Sequence, residues 1–197
     1  METDMENEIV QPKRSLPKFV FIILALILAG EAFFAIKTLS QPTQGSIPKL
    51  EKVSTTAKVN LISTKSEYKV NDSIPVEIQI DTGGNKISAA DVVIHFDPSM
   101  LVATSSDIIR GTTFKDYPSL GVDQKAGTVT VAGISELNNN LTGIFNLATV
   151  NFTAKAVGTT AVTIIFDPGL TTDTNLVGSG TNKDILEKVE NLNLTVK

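Results

Sequence analysis

From about Ala57 onward the chain is written in short runs of period two, and that pattern decides what it can become. Ile74, Val76, Ile78 and Ile80 alternate with Pro75, Glu77, Gln79 and Asp81. Val92, Ile94 and Phe96 alternate with Asp91, Val93 and His95, and Val129 and Val131 with Thr128 and Thr130. The same holds around Ala148, Val150 and Phe152, around Val162, Ile164 and Phe166, and around Leu192, Leu194 and Val196. Successive side chains of a strand point to opposite faces, so each run reads as a strand with one buried face. Turn formers separate the runs: DTGGN at 81–85, KAG at 125–127, AVG at 156–158 and VGSG at 177–180. Many short, half-buried strands must cover each other's apolar faces, which predicts an all-β sandwich over residues 57–197. About 140 residues suffice for such a core.

Two details sharpen the expectation. Pro75 cannot donate to a ladder, so it belongs at the start of its strand or on an edge. Two runs end in the same tripeptide, Phe96-Asp97-Pro98 and Phe166-Asp167-Pro168. An inward Phe closes each strand, Asp caps the turn through its side chain, and Pro ends the ladder.

The first third of the chain is of another kind. Residues 1–18 are polar, with acidic residues first and then Lys13, Arg14 and Lys18. Residues 19–36, FVFIILALILAGEAFFAI, are apolar apart from Glu31. Eighteen helical residues cover about 27 Å, and extension to Leu39 approaches the roughly 30 Å hydrocarbon core of a bilayer. Three basic residues precede this run and only Lys37 directly follows it, which predicts a cytoplasmic N-terminus. The expected organisation is a cytoplasmic tail at 1–18, a transmembrane signal-anchor helix at 19–39, a flexible tether at 40–56 and the sandwich outside the cytoplasmic membrane. A cleaved signal peptide is the rival reading. No convincing small-x-small cleavage site supports it, because Leu28 falls at the −3 position near Gly30.

Composition removes whole classes of function. There is no cysteine, one histidine and no tryptophan. Thiol chemistry, cysteine-ligated metals and a histidine-rich metal centre are therefore excluded. A net charge of -4 argues against nucleic acid as a partner. No G-x-S-x-G or phosphate-loop pattern occurs and the carboxylates are scattered, so no enzyme activity and no cofactor are expected. Asp173, Asn175 and Asp184 in TTDTNLVGSGTNKD (171–184) offer hard oxygen donors for calcium. The spacing matches no EF-hand loop, and Asn, Asp and Gly form turns without any metal.

Four segments together resemble the cohesin domain family. KISAADVVIHFDPSML (86–101) is similar to the family's third-strand segment, where an aliphatic-and-aspartate strand ends in an aromatic-Asp-Pro turn followed by Leu. YKVNDSIPVEIQI (68–80) resembles the segment before it, with Asn71-Asp72 where the family commonly has Gly-Asp. NLATVNFTAKAVGTTAVTI (146–164) and NLNLTV (191–196) resemble the later strand pair and the closing strand. The resemblance implies a jelly-roll sandwich of about nine strands that docks a dockerin-type protein module through one outer sheet face, as in cellulosomes. It also implies that the dockerin carries its own calcium, so the chain itself needs no metal. Related sandwiches bind polysaccharide, which makes a polysaccharide-binding module the alternative. The lack of Trp weighs against it, since sugar stacking favours large aromatics. A structural spacer without a specific ligand is the third reading.

Period two places Asp91, Val93 and His95 opposite the buried face. Pairing as in cohesins implies that Thr130 and Ala132 lie on the same solvent face. These five residues are the expected partner-binding set. Asp91 matches a family aspartate that accepts hydrogen bonds from the dockerin, whereas Ala89 stands where the family often has Asn. The simpler alternative for Val93 is strand propensity alone. His95 has no second histidine with which to form a metal site.

Overall fold

The computed structural model describes residues 56–197. The expected cytoplasmic tail at 1–18, the expected transmembrane helix at 19–39 and all but the last residue of the expected tether fall outside the described residues. Among the described residues no helix is long and apolar enough to cross a membrane.

Thirteen strands and one 3-10 turn at Ser105–Asp107 make up the described residues. The strands are β1 (Ala57–Ile62), β2 (Glu67–Tyr68), β3 (Ser73–Asp81), β4 (Ile87–His95), β5 (Leu101–Val102), β6 (Ile108–Arg110) and β7 (Asp116–Asp123). They continue with β8 (Thr128–Ile134), β9 (Ile144–Ala154), β10 (Gly158–Ile164), β11 (Asn175–Gly178), β12 (Leu186–Glu190) and β13 (Leu192–Val196). One sheet runs β12-β1-β3-β9-β5, with β6 also paired to β9. The other runs β2-β13-β10-β4-β8-β7, with β11 also paired to β4. The all-β sandwich is as expected, but the strand count is not. Nine strands have five residues or more, and the additional β2, β5, β6 and β11 are only two to four residues long. Segments that short are held by their neighbours and carry no period of their own.

The buried halves of the runs meet between the sheets. Ile74, Val76, Ile78 and Ile80 from β3 are fully buried, as are Val92, Ile94 and Phe96 from the β4 segment and Val150 and Phe152 from β9. Phe96 and Phe152 meet edge-on, with ring centroids 5.0 Å apart, the geometry that the ring quadrupoles favour.

Pro75 lies in an interior strand and still obeys its constraint. β1 pairs with β3 only from Glu77 to Asp81. The Pro75 carbonyl accepts from the Ser63 hydroxyl at 2.8 Å, on the side where β1 has already ended. The absent N–H therefore faces no ladder. Asn71 takes a φ of 71° at its turn, as an αL-tolerant residue can. Asp97 accepts from the Ser99 backbone at 2.8 Å and from its hydroxyl at 2.6 Å. Those bonds hold its carboxyl below the usual carboxylate range. The second Phe-Asp-Pro differs, because there the Asp167 backbone N–H donates to Asp173 Oδ2.

Candidate functional site

β4 runs through the middle of the seven-stranded sheet, with β8 along one side and β10 followed by β11 along the other. The register gathers the outward residues into rows. Asp91 lies between Asn175 and Ala132, with Ser119 of β7 beyond Ala132. Val93 lies beside Thr130, and Gly121 of β7 follows. His95 lies between Thr163 and Thr128. All five residues expected from the sequence thus share one face, with strands about 4.8 Å apart. Asp91, Val93, Thr130 and Ala132 are half-buried and His95 is exposed.

Two neighbours hold the middle row in place. The Ile165 N–H donates to the Val93 carbonyl at 2.8 Å, just past the end of β10. Thr174, fully buried, accepts from the Val93 N–H at 3.0 Å, and its hydroxyl donates to the Val93 carbonyl at 3.3 Å. One threonine side chain thus stands in for the missing strand between β10 and β11. Ile165 is 40% exposed beside Val93, so the centre of the face is more apolar than the sequence suggested. The alternation had set Ile165 opposite Phe166. What was missing was the register that brings it to β4.

Asp91 forms the floor of a hollow of about 250 Å³, walled by Ala89, Ala132, Ile134, Val177 and Pro118. The small side chains of Ala89 and Ala132 leave that space open. Asp91 Oδ1 is buried without a hydrogen-bond partner, and burial raises the carboxyl's pKa above its ordinary value. Oδ1 is enclosed by the protein itself, so the other carboxyl oxygen is the one left to accept from a hydroxyl, amide or ammonium group. Ile134 connects this hollow to a second one, of about 490 Å³, between the loop after β8 and the hairpin after β11. Leu137 stands 88% exposed on its rim, and Ser179 donates to Asn140 across it.

The three residues considered for calcium do separate work. Asp184 Oδ1 accepts from the backbone of Leu176 and Leu186 at 2.9 and 3.0 Å. The Asn175 side chain donates to the Asp173 carbonyl at 3.2 Å. Among the described residues no group of three His, Cys, Asp or Glu could hold a metal ion.

A family model described as Cohesin domain matches residues 57–195. No curated protein matches the sequence. Among solved structures, the third cohesin of ScaC from Acetivibrio cellulolyticus, in complex with the ScaB dockerin, aligns with a TM-score of 0.56 at 17% identity. The alignment covers 72% of this chain and 99% of that one. The Coh-OlpA-Doc918 cohesin–dockerin complex from Clostridium thermocellum gives 0.57 at 12% identity, over 72% and 99% of the two chains. A non-cellulosomal cohesin from the archaeon Archaeoglobus fulgidus gives 0.56 at 14%, over 72% and 91%. At these identities the likeness is one of fold.

Proposed function

The chain belongs to the cohesin domain family, and on that premise we propose that its seven-stranded sheet docks a dockerin-type protein module through the face around Asp91. One observation carries the reading. The half-buried carboxyl of Asp91 lines a mostly apolar hollow on the outer face of the sheet. Flat sheet faces with a buried polar anchor and an apolar surround are what protein partners recognise. Val93 and Ile165 supply the apolar ground, Asp91 the acceptor, and Thr130, Ala132 and His95 the flanks. The module is a binding device rather than an enzyme. Cohesins of similar fold are found in complex with dockerins, which supports that class of partner.

The proposal extends to location. Residues 19–39 would anchor the chain in the cytoplasmic membrane, with the N-terminus inside and residues 40–56 spacing the domain outward. The apolar run and the preceding Lys13, Arg14 and Lys18 support this reading. A docking face held at the cell exterior would recruit an extracellular enzyme or scaffold.

The test is a double substitution. Asp91→Lys with Val93→Glu puts two charges of unsuitable sign or place on the face while leaving the core untouched. Capture of a dockerin-type module should fall below detection while the melting temperature hardly moves. Unaltered capture would contradict the face assignment. Glycan-array binding that survives the same substitutions would favour the polysaccharide reading instead.

A further inference from the structure

The strands of the seven-stranded sheet, β2, β4, β7, β8, β10, β11 and β13, contain no lysine or arginine. They carry Glu67, Asp91, Asp116 and Asp123. The register sets Asp116 opposite Ile134 and Asp123 opposite Thr128, and residues opposite each other across a ladder share a face. The outer face around Asp91 is therefore acidic as well as apolar. The basic residues that do lie in strands, Lys58, Arg110 and Lys188, all belong to the six-stranded sheet. The ion pairs among the described residues, Lys58–Glu190, Lys188–Glu190 and Lys197–Glu67, leave Asp91 out. Burial alone moves its carboxyl above the ordinary value, with no neighbouring cation opposing the shift.

The hollow at Asp91 selects among the groups that could answer this charge. Ala89, Pro118, Ala132, Ile134 and Val177 wall its roughly 250 Å³ with carbon. Such a lining suits the methylene stem of a long side chain better than a short hydroxyl-bearing one. At the floor, Asp91 Oδ1 is enclosed by the protein, so a single carboxyl oxygen is left to accept. A guanidinium binds a carboxylate best through two parallel N–H···O bonds, which need both oxygens. An ammonium is a compact charge whose donors can each take a single acceptor. Asn175 lies opposite Asp91 in the β4–β11 ladder and borders the same hollow, where its amide oxygen is a further acceptor. Given the docking face set out above, on which this step rests, we propose that the partner inserts a lysine side chain into the hollow, its stem against the apolar wall and its ammonium on Asp91. Ala89 and Ala132 then determine specificity, because larger side chains there would fill the space that the stem needs.

Two measurements test it. The first needs no partner: the full chain, isotope-labelled in an uncharged detergent, is titrated with butylammonium chloride and, in parallel, with butanol and butylguanidinium chloride. Amide NMR shifts of Ala132, Asn175 and Val177 should respond most strongly to butylammonium, and Ala132→Leu should remove the response. Shifts as large with butanol or butylguanidinium, or none with butylammonium, would overturn the proposal. The second uses a dockerin-type module that the chain captures. Asp91→Asn keeps the shape and an acceptor but removes the charge, so affinity should fall about tenfold or more and depend less on salt. Changing one particular lysine of the module to Glu should restore its binding to Asp91→Lys. An Asp91→Asn affinity equal to that of the wild type, while Asp91→Lys with Val93→Glu abolishes capture, would overturn the lysine and leave the docking face standing. Capture that survives the double substitution would overturn the docking reading and the lysine with it.

Discussion

Replacing Thr174 by Val changes almost no volume and removes the hydroxyl that serves the Val93 backbone. In the wild type that hydroxyl accepts from the Val93 N–H at 3.0 Å and donates to its carbonyl at 3.3 Å. The carbonyl keeps a second donor, the Ile165 N–H at 2.8 Å. The N–H has no such reserve, because β10 has ended and β11 pairs with β4 only from Asp91 downward. Thr174 is fully buried, so water cannot replace the hydroxyl there. An unsatisfied buried donor costs about 1–3 kcal/mol. Near the middle of that range, Thr174→Val should lower the melting temperature by roughly 6–8 °C in a domain of this size. Urea unfolding should show a lower midpoint with an unchanged slope. Thr174→Ser keeps the hydroxyl and loses one methyl, so it should cost only about 1 kcal/mol. Hydrogen exchange adds a local reading, since the Val93 amide should lose protection in the Val variant and keep it in the Ser variant. Equal costs for the two variants, or a Thr174→Val cost under about 0.5 kcal/mol, would refute the assignment of this side chain as a substitute strand.

Phe152→Ala should cost roughly 3–5 kcal/mol, the cavity and the lost edge contact with Phe96 taken together. Chemical denaturation measures it. Gly127→Ala would set a Cβ 2.2 Å from the Phe96 carbonyl oxygen at a φ of +68°, and should cost at least about 2 kcal/mol by the same assay. Asp91 gives a pH signature. Its native carboxyl titrates above the ordinary value because of burial, so ionising it costs more in the folded chain than in the unfolded one. That cost is present above the raised pKa and disappears as pH falls through it. Asp91→Asn should therefore be more stable than the wild type at neutral pH, with the gap closing in acid. Unfolding midpoints measured across the acid range would show the gap close, and a gap that widens in acid would contradict the reasoning.

Much of this was legible in the residues because strand alternation is a strong signal. The runs around Ile78, Val92, Val131, Val150, Val162 and Leu194 all became strands with the expected faces buried, except that Leu192 is half-buried and Phe166, also half-buried, lies beyond the end of β10. The five expected face residues share one surface because a two-residue period fixes direction without knowledge of partners. Other features were silent for definite reasons. β7, DYPSLGVD, has no clean alternation and contains Pro118 and Gly121, so only its pairing with β8 reveals it. β11 is four residues long and exists because β4 offers an open edge there. Ile165 joins the outer face beside Val93 through its backbone bond to it, a contact between distant parts of the chain that no local pattern encodes. Thr174 reads as one more loop threonine until the gap between β10 and β11 is seen. The three residues considered for calcium form no group that could hold a metal ion among the described residues, because neighbouring backbone N–H and C=O groups already engage Asp184 and Asn175.

The central claim is that a partner sits on the seven-stranded sheet over Asp91. Amide hydrogen exchange of the chain, alone and saturated with a dockerin module that it captures, tests this most directly. The account predicts added protection along β4 from Ala89 to His95, along β8 from Thr128 to Ile134 and at Ile165, with β1, β3 and β9 unchanged. Added protection on β3 and β9, with β4 and β8 unaltered, would place the partner on the opposite sheet and contradict the account.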